Sequence, residues 1–141
     1  MKRLTTAAGR VGQARELASV LDAACDAFEE ILAVIGDYED ASDGVAFSFL
    51  LAATQAANGR DAVLFAPSLP ARRLHPAGLP EEPGRASARE ITWAVAGLCQ
   101  LLATRLAHTA ATAAAAADRA ACQDAARYAR HAHALLTASG P

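Results

Sequence analysis

The chain is poor in the residues that build strands, disulfide staples and catalytic centres. Aromatic residues make up 5% of its 141 positions, and β-branched residues are sparse as well, so little in it favours β-structure. Cysteine occurs three times, as Cys25, Cys99 and Cys122, each in a different segment. A secreted disulfide framework normally shows an even count at close spacing, so these read as free, buried thiols acting as small hydrophobes. No block of basic residues is present and the formal net charge is −2. Nucleic acid is therefore not an expected partner, because a binder needs cations to replace released counterions. Val45 to Ala57 is apolar but too short to span a bilayer, and Ala86 to Leu106 carries Arg89, Glu90, Gln100 and Arg105. The basic start, Met1 to Arg3, leads into no apolar stretch. Neither a signal peptide nor a membrane contact is expected, and a cytoplasmic location is the default expectation.

What the chain has in abundance is alanine, roughly a quarter of all residues. Alanine is the best helix former because it loses no side-chain entropy on entering a helix. With 53% hydrophobic and 20% charged residues, the composition is that of a globular, all-α domain large enough to bury a core.

Residues 1–10 read as a flexible lead-in. Leu17, Leu21, Ala24, Phe28, Ile31, Leu32 and Ile35 then recur at three- and four-residue steps, predicting a helix over about 12–36 with Gly36-Asp37 as its stop. A second helix is predicted over 45–58; its apolar residues run nearly all round, which marks it as the buried centre. Asn58-Gly59 closes it as a C-cap, with one further turn near 61–65. Five of the six prolines fall between Pro67 and Pro83. Proline lacks the N–H and fixes φ, so 66–86 is predicted to be a long loop, strapped to the bundle by Leu69, Leu74 and Leu79. Ser87-Ala88-Arg89-Glu90 fits a capping box and opens a helix over 88–108. A last helix is predicted over 118–137, after a break between about 108 and 118 that Asp118 would cap. The expectation is a four-helix bundle over 11–138, with five helices if 61–65 counts as one.

The alanines at 103, 107, 110, 114, 117, 121, 125, 129 and 132 follow near-heptad steps. They predict a close-packed seam, either inside the bundle or between subunits.

Few constellations carry chemistry. Residues 16–43 hold nine carboxylates and no Lys or Arg, yet the Glu-x-x-His pairs of a di-iron bundle are missing. The acids read as a solvated face, or as a partner for the arginine-rich 85–141 region. His131 and His133 diverge by about 200° on a helix and cannot share an ion. No metal site and no cofactor is predicted. Trp93 reads as a core or interface anchor. Asn58, Arg60 and Asp61 form an irregular corner and are candidates for binding, since binding residues concentrate on loops.

The spacing Arg127-x5-His133 resembles that of HEPN ribonuclease domains, which are also small helical bundles with this motif late in the chain. There the histidine would act as acid or base and the arginine would stabilise a phosphate. Where those domains commonly carry a polar residue after the arginine, this chain has Tyr128. The expected function is non-enzymatic: a helical protein–protein interaction or structural module, with a homodimer as one form of it. The alternatives are the HEPN-like ribonuclease and a helical bundle that binds a small ligand beneath the strap.

Overall fold

A computed structural model describes residues 1–38, 43–71 and 86–138 of the chain. They form five helices and, among the described residues, no strand: α1 (Lys2–Gln13), α2 (Leu17–Gly36), α3 (Asp43–Leu64), α4 (Ala88–Thr112) and α5 (Ala116–Thr137). Helices α2, α3, α5 and α4 close a ring in that order, each packed on the next, and α1 lies against α2 and α4. Phe28, Phe49, Leu21, Ile31, Ile91, Leu102 and Leu106 fill the centre.

The helix directions follow from a few contacts. The Tyr38 hydroxyl, just past α2, donates to the Ala86 carbonyl, just before α4, at 2.6 Å. The exit of α2 and the entry of α4 thus share one end of the bundle. Ser68, beyond α3, donates from its backbone N–H and its hydroxyl to the carboxylate of Asp118, in the first turn of α5, at 3.0 and 2.7 Å. Three residues join α4 to α5, so this pair is antiparallel and the exit of α3 lies at the opposite end. Helices α2 and α5 therefore run one way and α3 and α4 the other. The exit of α3 and the entry of α4 therefore stand at opposite ends of the bundle, about the length of a 25-residue helix apart, or about 37 Å. Leu69 packs half-buried against the core as expected. The other expected anchors, Leu74 and Leu79, lie outside the described residues, as does most of the predicted 66–86 loop.

Several helix boundaries differ from expectation. Residues 1–10 are not a lead-in: they belong to α1, which buries Leu4, Ala7 and Val11 at i, i+3 and i+7. The expected 12–36 helix is broken at Ala14–Glu16, where Ala14 and Glu16 are extended. No glycine or proline marks that break. The Gly12 carbonyl at the end of α1 accepts from Arg15 Nη1 at 3.0 Å and from Arg105 Nη2 of α4 at 2.9 Å, so side chains satisfy an oxygen that helix continuation would have covered.

The expected 45–58 helix runs on to Leu64, and 61–65 is its tail and exit rather than a separate turn. Gly59 is not a C-cap. A Cβ there would stand 2.5 Å from Phe28 Cε1, so the glycine lets α3 approach the α2 phenylalanine ring. The Ser87 cap forms as expected, its hydroxyl accepting the Glu90 N–H at 3.1 Å, but α4 extends past 108 to Thr112. The break falls inside the expected window, at Ala113–Ala115. Its cap is Ala115 rather than Asp118, whose carboxylate is turned to Ser68. Arg119 Nη1 holds the Ala113 and Ala114 carbonyls at 3.0 and 2.7 Å.

The alanine seam lies inside the chain. Ala103, Ala110, Ala121, Ala125, Ala129 and Ala132 are buried where α4 and α5 belong to the core, while Ala107, Ala114 and Ala117 face outward. Small side chains here let two helices pack closely.

Candidate functional site

Two helix faces and one groove stand out once the ring is assembled. The acidic face of α2 finds cations on α1. Arg10 reaches Asp22 through Nη2 at 3.2 Å and Asp26 through Nη1, and Arg3 Nη2 reaches Glu30 at 2.5 Å. Asp22 is buried, and burying a carboxylate is costly unless it is paired and hydrogen-bonded. The N-terminal helix thus docks through an apolar row and two guanidinium groups. This acidic surface is consumed by the fold.

The residues singled out by sequence scatter. Arg127 is exposed, pairs with Asp124 at 3.6 Å and lies over the Tyr128 ring at 5.2 Å. His133 instead lines a groove between α4 and α5 with Gln100, Ala103, Thr104, Ala107 and Arg130. Six residues on a helix amount to about 120° of rotation, so Arg127 and His133 do not share that groove. Arg130 is the arginine that lines the groove with His133. Asn58, Arg60 and Asp61 sit within α3 rather than at a corner; Arg60 Nη2 pairs with its neighbour Asp61 at 3.2 Å. Trp93 is 68% exposed on the outer side of α4, so it is no core residue.

None of the three thiols is in a disulfide, and all three are buried. Burial pushes Cys99 up to about 12. Cys122 is raised to about 11, by burial first and then by the nearby Asp118 carboxylate. Thiols held this far from ionisation are poor nucleophiles at neutral pH. Among the described residues, no three His, Cys, Asp or Glu side chains converge as metal ligands, and no helix is long and apolar enough to cross a membrane.

The least expected feature is the outer face of α3. The expectation for this helix is burial all round, but its fully buried row against the core is Phe49, Ala52, Ala56, Gly59 and Val63, with Val45, Ala53 and Ala62 partly buried beside it. On the other side Phe47 is 64% exposed, Leu50 63%, Leu64 50% and Phe65, directly after the helix, 84%. Thr54 and Asp61 are exposed between them. At 100° per residue these positions lie within a sector of about 100°, opposite the buried row. The stripe runs about 27 Å along the helix. Four of the six exposed large hydrophobics among the described residues belong to it. Two apolar faces on one helix give the same composition as one helix buried all round.

Searches against protein-family models, curated proteins and solved structures give no match to this chain.

Proposed function

We propose that this protein works by protein–protein contact, through the outward face of α3. The observation that supports it is the concentration of Phe47, Leu50, Leu64 and Phe65 on one helix face, at 50–84% exposure. Isolated exposed hydrophobics are ordinary, but four large ones gathered on one face of a single helix support an interaction surface. Aromatic residues are also the side chains that most often carry binding energy in an interface. No catalytic role is needed for such a module.

Hydrogen exchange of the purified protein, alone and in the complexes it forms at native abundance, tests this reading. Binding should protect the backbone of residues 47–65, and Phe47→Ser with Phe65→Ser should abolish complex formation while leaving the melting temperature in place. Complexes that survive the double substitution, or protection confined to other helices, would overturn it.

A second reading, a binder of small anionic ligands, draws on the groove between α4 and α5. Its volume of about 540 Å³ and its lining by Arg130, His133, Gln100 and Thr104 are compatible with a small molecule. A thermal-shift screen with simple carboxylates and phosphates, repeated on Arg130→Ala, would test it; unchanged melting with every ligand would remove it.

A further inference from the structure

The connection between α4 and α5 is built from residues that do not favour a chain reversal. Turns are ordinarily made by Gly, Pro, Asn, Asp and Ser, each of which eases the backbone out of a helix. Here the reversal is Ala113-Ala114-Ala115, inside a run from Ala110 to Ala117 that only Thr112 interrupts. Alanine is the strongest helix former and one of the poorest N-caps. Ala113 and Ala115 are nevertheless extended, with ψ of 132° and 133°, and Ala115 caps α5 with no side-chain hydrogen bond. By its own preference this segment would be helix from end to end.

What holds the reversal is tertiary. Arg119 Nη1 clasps the Ala113 and Ala114 carbonyls at 3.0 and 2.7 Å. The buried Asp118 carboxylate accepts from the Ser68 N–H and hydroxyl at 3.0 and 2.7 Å. Beyond them α5 is seated between α3 and α4 by a buried row that includes Cys122, Ala125, Ala129 and Leu136. The Ser68 bonds and the buried row require an α5 in that seat. They do not require it to belong to the same chain as the α4 beside it.

We infer that two copies of this chain exchange α5. The reversal straightens, α4 and α5 become one helix from Ala88 to Thr137 about 75 Å long, and each α5 takes the seat between α3 and α4 of the other copy. Ser68 then donates to the partner subunit's Asp118, and the buried row is remade across the two chains. Exchange of an identical element is a low-cost route to a dimer because the contacts are the native ones. Straightening takes the Ala113 and Ala114 carbonyls from Arg119 and gives them to the backbone N–H groups four residues on. Arg119 is thus the clasp that favours the single-chain form. The two long helices cross at the alanine run, where Ala111 and Ala114 to Ala117 are exposed. No Asp, Glu, Lys or Arg lies between Arg105 and Asp118, so the crossing brings no like charges together. Phe47, Leu50, Leu64 and Phe65 take no part, and failure of the exchange leaves the α3 reading standing.

Because α5 must leave its seat to exchange, the test starts from unfolded protein. Chain refolded at hundreds of micromolar should give a species of twice the chain mass by light scattering on a size-exclusion column, persisting on dilution. Refolding at micromolar concentration should give monomer. Arg119→Ala should raise the dimer-to-monomer ratio about threefold or more, since the clasp is gone. Ala114→Pro should lower it about tenfold or more, because proline breaks a continuous helix and Ala113 before it is already extended. Ala114→Gly should lower it in the same direction and serves where proline disturbs the monomer.

Paired spin labels on Gln100→Cys and Arg130→Cys read the geometry; the native thiols are buried, so the introduced ones react. Both positions line one groove in the single chain. On a straight helix they stand about 45 Å apart. With labelled chain diluted into an excess of unlabelled chain, the dimer fraction should show the long distance and the monomer fraction the short one. Monomer at every refolding concentration overturns the exchange. So does a dimer whose labelled chains keep the short distance, since α5 then stays in its own chain. A dimer indifferent to both Ala114→Pro and Ala114→Gly, or one that Arg119→Ala diminishes, overturns it as well.

Discussion

Helices α2 and α3 are packed neighbours of 20 and 22 residues, and each turns a face away from the ring that its own packing leaves uncovered. On α2 that face is acidic, and α1 covers it with Arg3 and Arg10. On α3 it is apolar, and Phe47, Leu50, Leu64 and Phe65 remain exposed. Charge carries an address: a short segment with matching cations and a three-residue apolar row is enough to settle on it. An apolar face specifies only that water should leave, not which surface should replace it. One helix is thus completed from within the chain, while the other is left for a partner under the proposal above.

The sharpest test of this contrast compares two phenylalanines that are two positions apart. Phe49 is buried and meets Tyr38 edge-on, with ring centroids 6.3 Å apart. Phe49→Ala should cost about 3–5 kcal/mol, measured by denaturant unfolding under dilute conditions. A loss under 1 kcal/mol would mean that α3 is not seated on the ring by that face.

The cover on α2 predicts the next largest effect. Arg10 is the cation shared by Asp22 and Asp26. Arg10→Ala should destabilise the protein by roughly 2–3 kcal/mol, because a charged partner is removed from a buried carboxylate. Its signature is faster hydrogen exchange confined to α1 and the facing turns of α2. Uniform loss of protection, with α1 no more exposed than the rest, would contradict a covering role. Gly59→Ala follows, at about 1–3 kcal/mol of overpacking against Phe28, offset by up to about 1 kcal/mol of better helix propensity. Phe28→Leu should then relieve much of the strain in the double variant; full additivity would deny the close approach.

How much of this was legible in the sequence depends on whether the cause was local. The helical class, the Ser87 cap and the α4–α5 break window could be read because alanine content, a capping pair and polar spacing act within a few residues. The break at Ala14–Glu16 could not: its oxygens are satisfied partly by Arg105, more than ninety positions away in sequence. Gly59 looked like a helix stop because the Phe28 ring that requires it belongs to another helix. Leu4, Ala7 and Val11 do carry the helical period, but a row of three is hard to distinguish from chance until the acidic face that it covers is in place. For the candidate site, the motif-like pair Arg127 and His133 separated in space. The α3 stripe was hidden in plain composition, since sequence does not say which of two apolar faces meets the core.

The core behind α4 gives a pH prediction that separates covered from uncovered surface. Cys99 is neutral at pH 7 in both the folded and the unfolded chain, and burial raises its folded value from 9.0 to about 12. Its contribution is therefore fully present below about pH 9. Above that the unfolded thiol ionises while the folded one does not, so stability falls as pH rises toward 12. At pH 10 the loss should be about 1 kcal/mol, with a further contribution from Cys122, which is raised to about 11. Cys99→Ala should flatten the pH dependence between 8 and 10 relative to its own value at pH 7. An unchanged slope would mean that this thiol meets water.

The smallest expected effect closes the contrast from the α3 side. Phe47 is 64% exposed, so truncating it removes little buried area from a single chain. Phe47→Ser should change the unfolding free energy by less than about 0.5 kcal/mol in dilute protein. The same substitution should remove the rise in melting temperature that a complex formed through this face confers, since binding to the folded state adds to its stability by mass action. The pair of measurements thus splits two roles that a single melting curve would merge. A large loss already present at low concentration would show that Phe47 supports its own fold, and the uncovered face of α3 would then be part of the core's edge rather than a surface kept for a partner.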